Sequence, residues 1–472
     1  MIMLYGSIGI ITAVGFGLVP RSNIGAGGIP PDPISLVIVE PVPGTDIADI
    51  NDDYGTTTVD AVDGRDLYLL LVPPGFSEAD LDALANDPRI EEVETDDDTL
   101  APEAAGGDTQ PIFFYVPPSA YGQQYAPGLI QLGPAHQYAT GHGVVVAILD
   151  TGADADHELL AGRIDPGGYN FVDDNTDIAD IPTGLDRDGD GLFDEMFGHG
   201  TFVAGVIAMV APDASIMPVR VLDSEGFSDV FRVVQGIYYA IDRGVDVINL
   251  SLGTRSHNHI LRNAVDDAVA AGIVVVAASG NDDREHPGQM PALEETTLGI
   301  SSVDAEDVKS SFSNYGDYVS LSAPGNDVVS AMPGGQYAMA SGTSISTAFV
   351  AGTAALLRSL VPLATPAEIA AHLLASGQNL DAQNPEYSGL LGAGRLDVAA
   401  ALSHAGAPAP NPDIAGPGIV EMIGEIGEIG EDVTPPALPG LPGGPDSLPG
   451  VWDRTARIHA DLWILLGEHQ RP

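Results

Sequence analysis

Three short stretches of the chain hold side chains that could act together in nucleophilic catalysis. Asp150-Thr151-Gly152 follows an apolar run, Gly198-His199-Gly200-Thr201 leads into another, and Gly342-Thr343-Ser344 opens a long apolar stretch. A serine hydroxyl is a weak nucleophile and needs a base within hydrogen-bond reach. Histidine serves because its pKa lies near neutrality. A carboxylate behind the ring fixes the tautomer and stabilises the imidazolium. Taken singly each stretch is weak, since Asp-Thr-Gly suits a turn and Gly-His-Gly occurs twice. Gly141-His142-Gly143 precedes the run that delivers Asp150, which puts His142 at the opposite end of that strand. The candidates are therefore Asp150, His199 and Ser344.

A second chemical feature is the segment Asp186-Arg187-Asp188-Gly189-Asp190-Gly191-Leu192-Phe193-Asp194-Glu195. Carboxylates at alternate positions with a glycine after the third wrap oxygens around a hard cation. Asp186, Asp188, Asp190, the Leu192 carbonyl and Asp194 fit positions 1, 3, 5, 7 and 9 of a calcium loop. Position 12 is Phe197 rather than Glu, so the loop is not a complete EF-hand, and Glu195 would supply the missing oxygens. A solvated acidic loop is the competing reading. Calcium here would stiffen the approach to His199.

The surrounding pattern says what must position these groups. Residues 144–149, 216–221, 245–250 and 273–278 are continuous apolar runs, as expected of parallel strands buried on both faces. Helical patterns near 201–209, 230–242 and 260–271 alternate with them. This predicts a doubly wound α/β domain with a mostly parallel sheet, its functional residues at the carboxyl ends of strands. Before it, apolar runs at 34–40, 66–72 and 90–94, with a helical pattern over 77–86, predict a small α+β unit, and 101–118 reads as loop. Thr365-Pro366-Ala367-Glu368 opens a further helix with a capping box.

At this point the set resembles the subtilisin-like serine peptidases. The aspartate motif, the run Gly198-His199-Gly200-Thr201-Phe202-Val203-Ala204-Gly205, and Gly342-Thr343-Ser344 followed by Val350-Ala351-Gly352 match in order. Ala277-Ala278-Ser279-Gly280-Asn281 resembles the family's oxyanion segment, which implies that Asn281 donates its amide beside the Ser344 backbone N–H. The resemblance covers roughly residues 120 to 402, through Ser311-Phe312-Ser313-Asn314-Tyr315-Gly316, Ala323-Pro324-Gly325 and Gly394-Arg395-Leu396-Asp397. It implies a substrate cleft formed by Ser251, Leu252 and Gly253, by Gly226 in a segment that pairs with extended peptide, and by Ala278 and Gly280. It implies polypeptide substrates and a broad apolar preference in the first pocket. Residues 87–94 resemble the inhibitory propeptide, so the chain's own N-terminal unit is expected to act as an intramolecular inhibitor, released by cleavage between Asp98 and Tyr125.

Four positions depart from the family pattern. Phe202 stands where a second His is common, Ala348-Phe349 replaces Pro-His, and Ile345 replaces a frequent Met. Ala348 restores an N–H that Pro would lack, so an altered start to the serine helix is expected. Ile345 has no sulfur, so that site should resist peroxide.

Composition bounds the remaining readings. The 472 residues carry Asp+Glu 67 against Lys+Arg 17, a formal net charge of -50. Such a surface repels nucleic acid and anionic membrane. It suits a saline habitat, where repulsion is screened, or an acidic secreted protein from an ordinary one. With no cysteine, the compartment cannot be read from disulfides. The expected organisation is a signal peptide or anchor over 1–30, a propeptide-like unit over 31–100, and a catalytic domain over 101–404. A Pro/Gly-rich linker follows over 405–450, then a short amphipathic tail over 451–472. The membrane is a partner only if the N-terminal segment is retained. The leading expectation is a secreted serine endopeptidase. The alternatives are a membrane-anchored processing protease and a catalytically silent, calcium-stabilised binding protein on the same fold.

Overall fold

A computed structural model describes residues 35–106, 112–187, 189 and 191–405; the expected signal or anchor, the linker and the tail lie outside the described residues. Seven strands form one parallel sheet in the spatial order 321–324, 298–303, 274–278, 247–250, 145–150, 215–220, 169–170. The first of these in the chain, Val145–Asp150, lies in the interior, between Val247–Leu250 and Ser215–Arg220. Chain direction across the sheet therefore reverses beside Asp150, where a crevice opens at the carboxyl ends of the strands.

Alternation along the strands explains the layers. Val146, Ile148, Val274 and Val276 face one side, packed with the helices His199–Val210 and Thr343–Leu360. Ala147, Leu149, Val275 and Ala277 face the other, packed with Val230–Arg243 and His259–Ala270. The period of two places successive side chains in different cores, which is why these strands read as near-continuous apolar runs. The doubly wound α/β expectation holds, with strand and helix ends shifted by one or two residues. Among the described residues no helix is long and apolar enough to cross a membrane.

The N-terminal unit is richer than the sequence suggested. It is a four-stranded antiparallel sheet, ordered 57–61, 68–71, 36–41, 90–95, with two helices, Ile47–Tyr54 and Glu78–Ala85. Val37, Val39 and Leu70 pack with Ile50 and Leu84 of those helices, whereas Ile38, Val59 and Leu69 share a core with Phe231, Val234 and Leu261 of the large domain. The unit also caps the two large-domain helices it covers. Asp96 Oδ1 accepts from Phe231 N at 2.9 Å, and Glu94 Oε1 from His259 N at 3.2 Å. Carboxylates at helix N-termini satisfy free N–H groups and oppose the helix dipole.

The segment joining this unit to the large domain carries more structure among its described residues than the loop expected over 101–118. Asp98–Leu100 pairs antiparallel with Phe227–Asp229, Pro102–Gly106 is a 3-10 turn, and Phe114–Val116 adds to the hairpin strand Gln336–Ala340. These pairings are made by backbone groups with partners more than a hundred residues away, which no local pattern encodes.

Candidate active site

Asp150 ends its strand fully buried, and Oδ1 accepts from the Thr151 N–H at 2.8 Å. The same oxygen lies 2.7 Å from His199 Nδ1. The two motifs are clasped by small residues: Gly200 N donates to Thr151 Oγ1 at 2.9 Å, and Asp154 N to Thr201 Oγ1 at 3.0 Å. A β-carbon at position 200 would collide with the Gly152 carbonyl, so only glycine lets the two turns approach this closely. His199 begins its helix after Gly198, whose φ of 94° is in the left-handed region.

Ser344 is buried near the start of the helix Thr343–Leu360, with its own carbonyl accepting from Ser251 Oγ at 3.2 Å. That helix runs without interruption through Ile345, Ala348 and Phe349, all buried. Asn281 follows the strand Val274–Ala278 by three residues. Its Oδ1 accepts from Thr343 N at 3.0 Å and Thr343 Oγ1 at 2.8 Å, while Thr343 Oγ1 accepts from Gly280 N at 3.2 Å. Fixing the amide oxygen on Thr343 leaves the Asn281 N–H groups for another acceptor. His142 is exposed on a turn before Val145–Asp150, at the far end of that strand, as expected.

Two of the expected cleft residues, Gly253 and Gly226, meet the chain's own N-terminal segment. Leu100 and Gly253 exchange two backbone hydrogen bonds, at 3.0 and 2.9 Å, and Ala101 N donates to Gly226 O at 2.9 Å. Ser251 and Leu252 are buried just before Gly253, and Ala278 and Gly280 flank the turn to Asn281. An open pocket beside this segment is lined by Pro102, Gly253, Thr254, Gly280, Asn281 and Gln289.

Two functional groups escaped the sequence reading. Glu103 enters between the candidate nucleophile and base: its Oε2 accepts from Ser344 Oγ at 2.8 Å and lies 3.3 Å from His199 Nε2. Burial works against charge on His199, but Asp150 and Glu103 outweigh it and push the imidazole pKa up to about 10. Burial likewise opposes charge on Glu103, yet His199 and Ser344 hold its carboxyl below the usual value. Asp180, also buried, accepts from Gly198 N and Thr201 N, both at 3.1 Å, beneath the first turn of the histidine helix. In so acidic a chain neither carboxylate stands out by type or spacing.

Of the candidate calcium loop, Asp188 and Asp190 lie outside the described residues. Asp186 Oδ1 accepts from Gly189 N at 2.8 Å, the turn expected at the start of such a loop. Asp194 is held by several donors. Its Oδ1 accepts from Thr183 N at 2.7 Å and Ser224 Oγ at 2.5 Å, and both its oxygens accept from Gly184 N. These bonds clasp the loop to the domain. Glu195 N donates to Glu225 Oε1 at 3.2 Å, and Arg187 pairs with Asp223 at 2.7 Å. The donor set offered by Asp186 and the Leu192 carbonyl is all oxygen, which suits a hard cation.

A doubly wound sheet with Asp, His, Ser and Asn gathered at its switch point defines a serine hydrolase of the α/β class. The Subtilase family description matches residues 141–394, and the chain belongs to that family. It is 41% identical over 257 residues to thermitase of Thermoactinomyces vulgaris, covering 52% of this chain and 86% of the relative. It is 40% identical over 245 residues to an intracellular serine protease of Paenibacillus polymyxa, covering 49% and 72%. Among solved structures, fervidolysin from Fervidobacterium pennivorans shares the fold at 23% identity and a TM-score of 0.62, over 80% of this chain and 62% of that one. The protein is a serine endopeptidase of the subtilisin type.

Proposed function

We propose that the chain is a secreted, propeptide-bearing endopeptidase that cleaves extended polypeptides through an acyl-enzyme. Ser344 Oγ attacks the scissile carbonyl while His199 Nε2 takes its proton. Asp150 keeps the Nδ1–H pointed inward and stabilises the imidazolium. Asn281 and the Ser344 N–H receive the oxyanion. His199 then protonates the leaving amine, and a water activated by the same base releases the acid. The observation that carries this reading is the 2.7 Å pairing of His199 Nδ1 with Asp150 Oδ1 beside Ser344.

In the same reading, residues 31–100 are an inhibitory propeptide and 101–404 the catalytic domain. The pairing of Leu100 and Ala101 with Gly253 and Gly226 supports it, because main-chain pairing is how a cleft of this kind holds extended peptide. Calcium would be held by Asp186, Asp188, Asp190 and the Leu192 carbonyl, with Glu195 completing the shell. It would supply rigidity ahead of His199 and no chemical step.

The test is casein hydrolysis together with labelling by a serine-directed fluorophosphonate. Both should be present in the wild type after processing and absent in Ser344→Ala. Retained hydrolysis in that variant would refute the assignment. N-terminal sequencing of the mature product fixes the cleavage point, expected between Asp98 and Tyr125.

A further inference from the structure

We propose that the Ser344–His199 pair is a carboxylate-binding site and that Glu103 is its built-in ligand. The uncleaved chain is then latent because its base is locked as an imidazolium, beyond any effect of a filled cleft. This rests on the peptidase reading above.

The site is built for that carboxylate. Backbone pairing of Asp98–Leu100 with Phe227–Asp229, and of Ala101 N with Gly226 O, sets the register of the incoming segment. Two residues past the last of these bonds, the Glu103 side chain is only 5% exposed. One oxygen, Oε2, meets both Ser344 Oγ and His199 Nε2. The other, Oε1, lies against Gly342, where a β-carbon would collide with it, so a larger residue there would displace the carboxylate from this position.

Charge balance then decides the state of the imidazole. His199 is flanked by Asp150 from its strand end and by Glu103 from the incoming segment, with Asp180 beneath the first turn of its helix. All three are acids. A neutral ring would leave two buried carboxylates in contact with no cation, an arrangement that low-dielectric surroundings penalise heavily. An imidazolium pairs both, and the raised pKa of His199 agrees with this. An imidazolium has no lone pair at Nε2 to accept the serine proton, and the Ser344 hydroxyl is spent on Glu103 instead. The ligand class is an extended peptide with an acidic side chain two residues beyond the Gly226 contact.

The sign of the pH dependence follows. Glu103 is one of the groups that raise His199, so docking is favoured while the ring is protonated and weakens as pH rises through about 10.

The experiment uses the full chain in three forms: wild type, Glu103→Gln and Glu103→Ala. Fluorophosphonate labelling of the uncleaved species is followed by intact mass from pH 6 to 11, with Ser344→Ala as the unlabelled control. The wild type should label slowly at pH 7 and accelerate toward pH 10. Glu103→Gln, which keeps the size of the plug but not its charge, should label at least about tenfold faster at pH 7, with its midpoint moved toward 6.5. Glu103→Ala should do the same and covers the case in which the glutamine variant fails to fold. Equal labelling rates for wild type and both variants on the uncleaved chain would overturn the proposal while leaving the peptidase reading intact. If no form of the chain, cleaved or uncleaved, is labelled or cleaves casein, the peptidase reading falls and takes this one with it.

Discussion

Asp180 holds Thr201 twice, accepting the backbone N–H at 3.1 Å and the hydroxyl at 2.8 Å on the same oxygen, Oδ2. With Oδ1 on the Gly198 N–H, one buried carboxylate staples the turn that carries His199. The first N–H groups of a helix have no internal partners, and an anion there also opposes the dipole. Asp180→Asn places an amide donor against those N–H groups. It should destabilise the fold by about 1–3 kcal/mol and lower kcat more than it raises KM, because the imidazole loses its fixed base. Thermal unfolding and casein kinetics check this, and unchanged values for both would show that Asp180 does not orient the helix.

Thr343→Val probes the clasp on Asn281. Valine keeps the shape but removes the hydroxyl that donates to Asn281 Oδ1 and accepts from Gly280 N. The expected result is a drop in kcat of about tenfold with KM little changed, the equivalent of one hydrogen bond's worth of barrier. Asn281→Leu should lose about 10²–10³ in kcat, a figure taken from the corresponding change in subtilisin itself. Because both act on one oxyanion donor, the double variant should be no worse than Asn281→Leu alone. Additive losses would place Thr343 on a separate function.

Acid sensitivity should trace in part to His157 and His136. His157 is buried, with Nε2 2.9 Å from the Gln336 carbonyl and Nδ1 accepting from Leu159 N at 3.2 Å. Protonating Nδ1 would set two N–H groups face to face. Burial holds both histidines below the ordinary value of 6.5. Their folded pKa values are depressed, so their contribution is intact above 6.5 and is lost as pH falls through the lowered values. His157→Gln should flatten the fall in Tm between pH 6.5 and 4. A curve parallel to that of the wild type would mean the ring is not held neutral.

Calcium removal separates the two roles in the acidic loop. Addition of EDTA should lower Tm, since a cation bound only by the folded state stabilises it by about 2.7 kcal/mol at a hundredfold excess over Kd. Asp186→Asn should abolish the EDTA response. Asp194→Asn should lower Tm with and without calcium alike, because it breaks the bonds to Thr183, Gly184 and Ser224. If Asp194→Asn also abolishes the EDTA response, that side chain coordinates the ion after all.

How far the sequence could be read follows from where each partner lies. Asp150, His199 and Ser344 are legible because each sits in its own short run of small residues, and those runs exist to let turns pack closely. Asn281 is legible through Ser279 and Gly280 beside it. Glu103 is not, because its partner Ser344 is 241 positions away and it is one carboxylate in a chain with Asp+Glu 67. The helix Ile47–Tyr54 was missed because Asp49, Asn51, Asp52 and Asp53 conceal its single buried residue, Ile50, although Asp46 caps it and Gly55 ends it in the left-handed region. The strand Thr57–Ala61 was missed because only Val59 points into a core. Faces shared between two units look half polar from either one alone.

In the latency proposed above, the covalent continuity of Asp98–Glu103 with both the N-terminal sheet and the catalytic domain would give inhibition a built-in dependence on dilution. A tethered ligand competes at an effective concentration of about millimolar, whatever its intrinsic affinity. Once the chain is cut, the same contacts must hold at the actual concentration of the released segment. A weak plug is therefore sufficient before cleavage and ineffective after it, so a single hydrolytic event becomes a ratchet whose completeness depends on how many copies share the same volume.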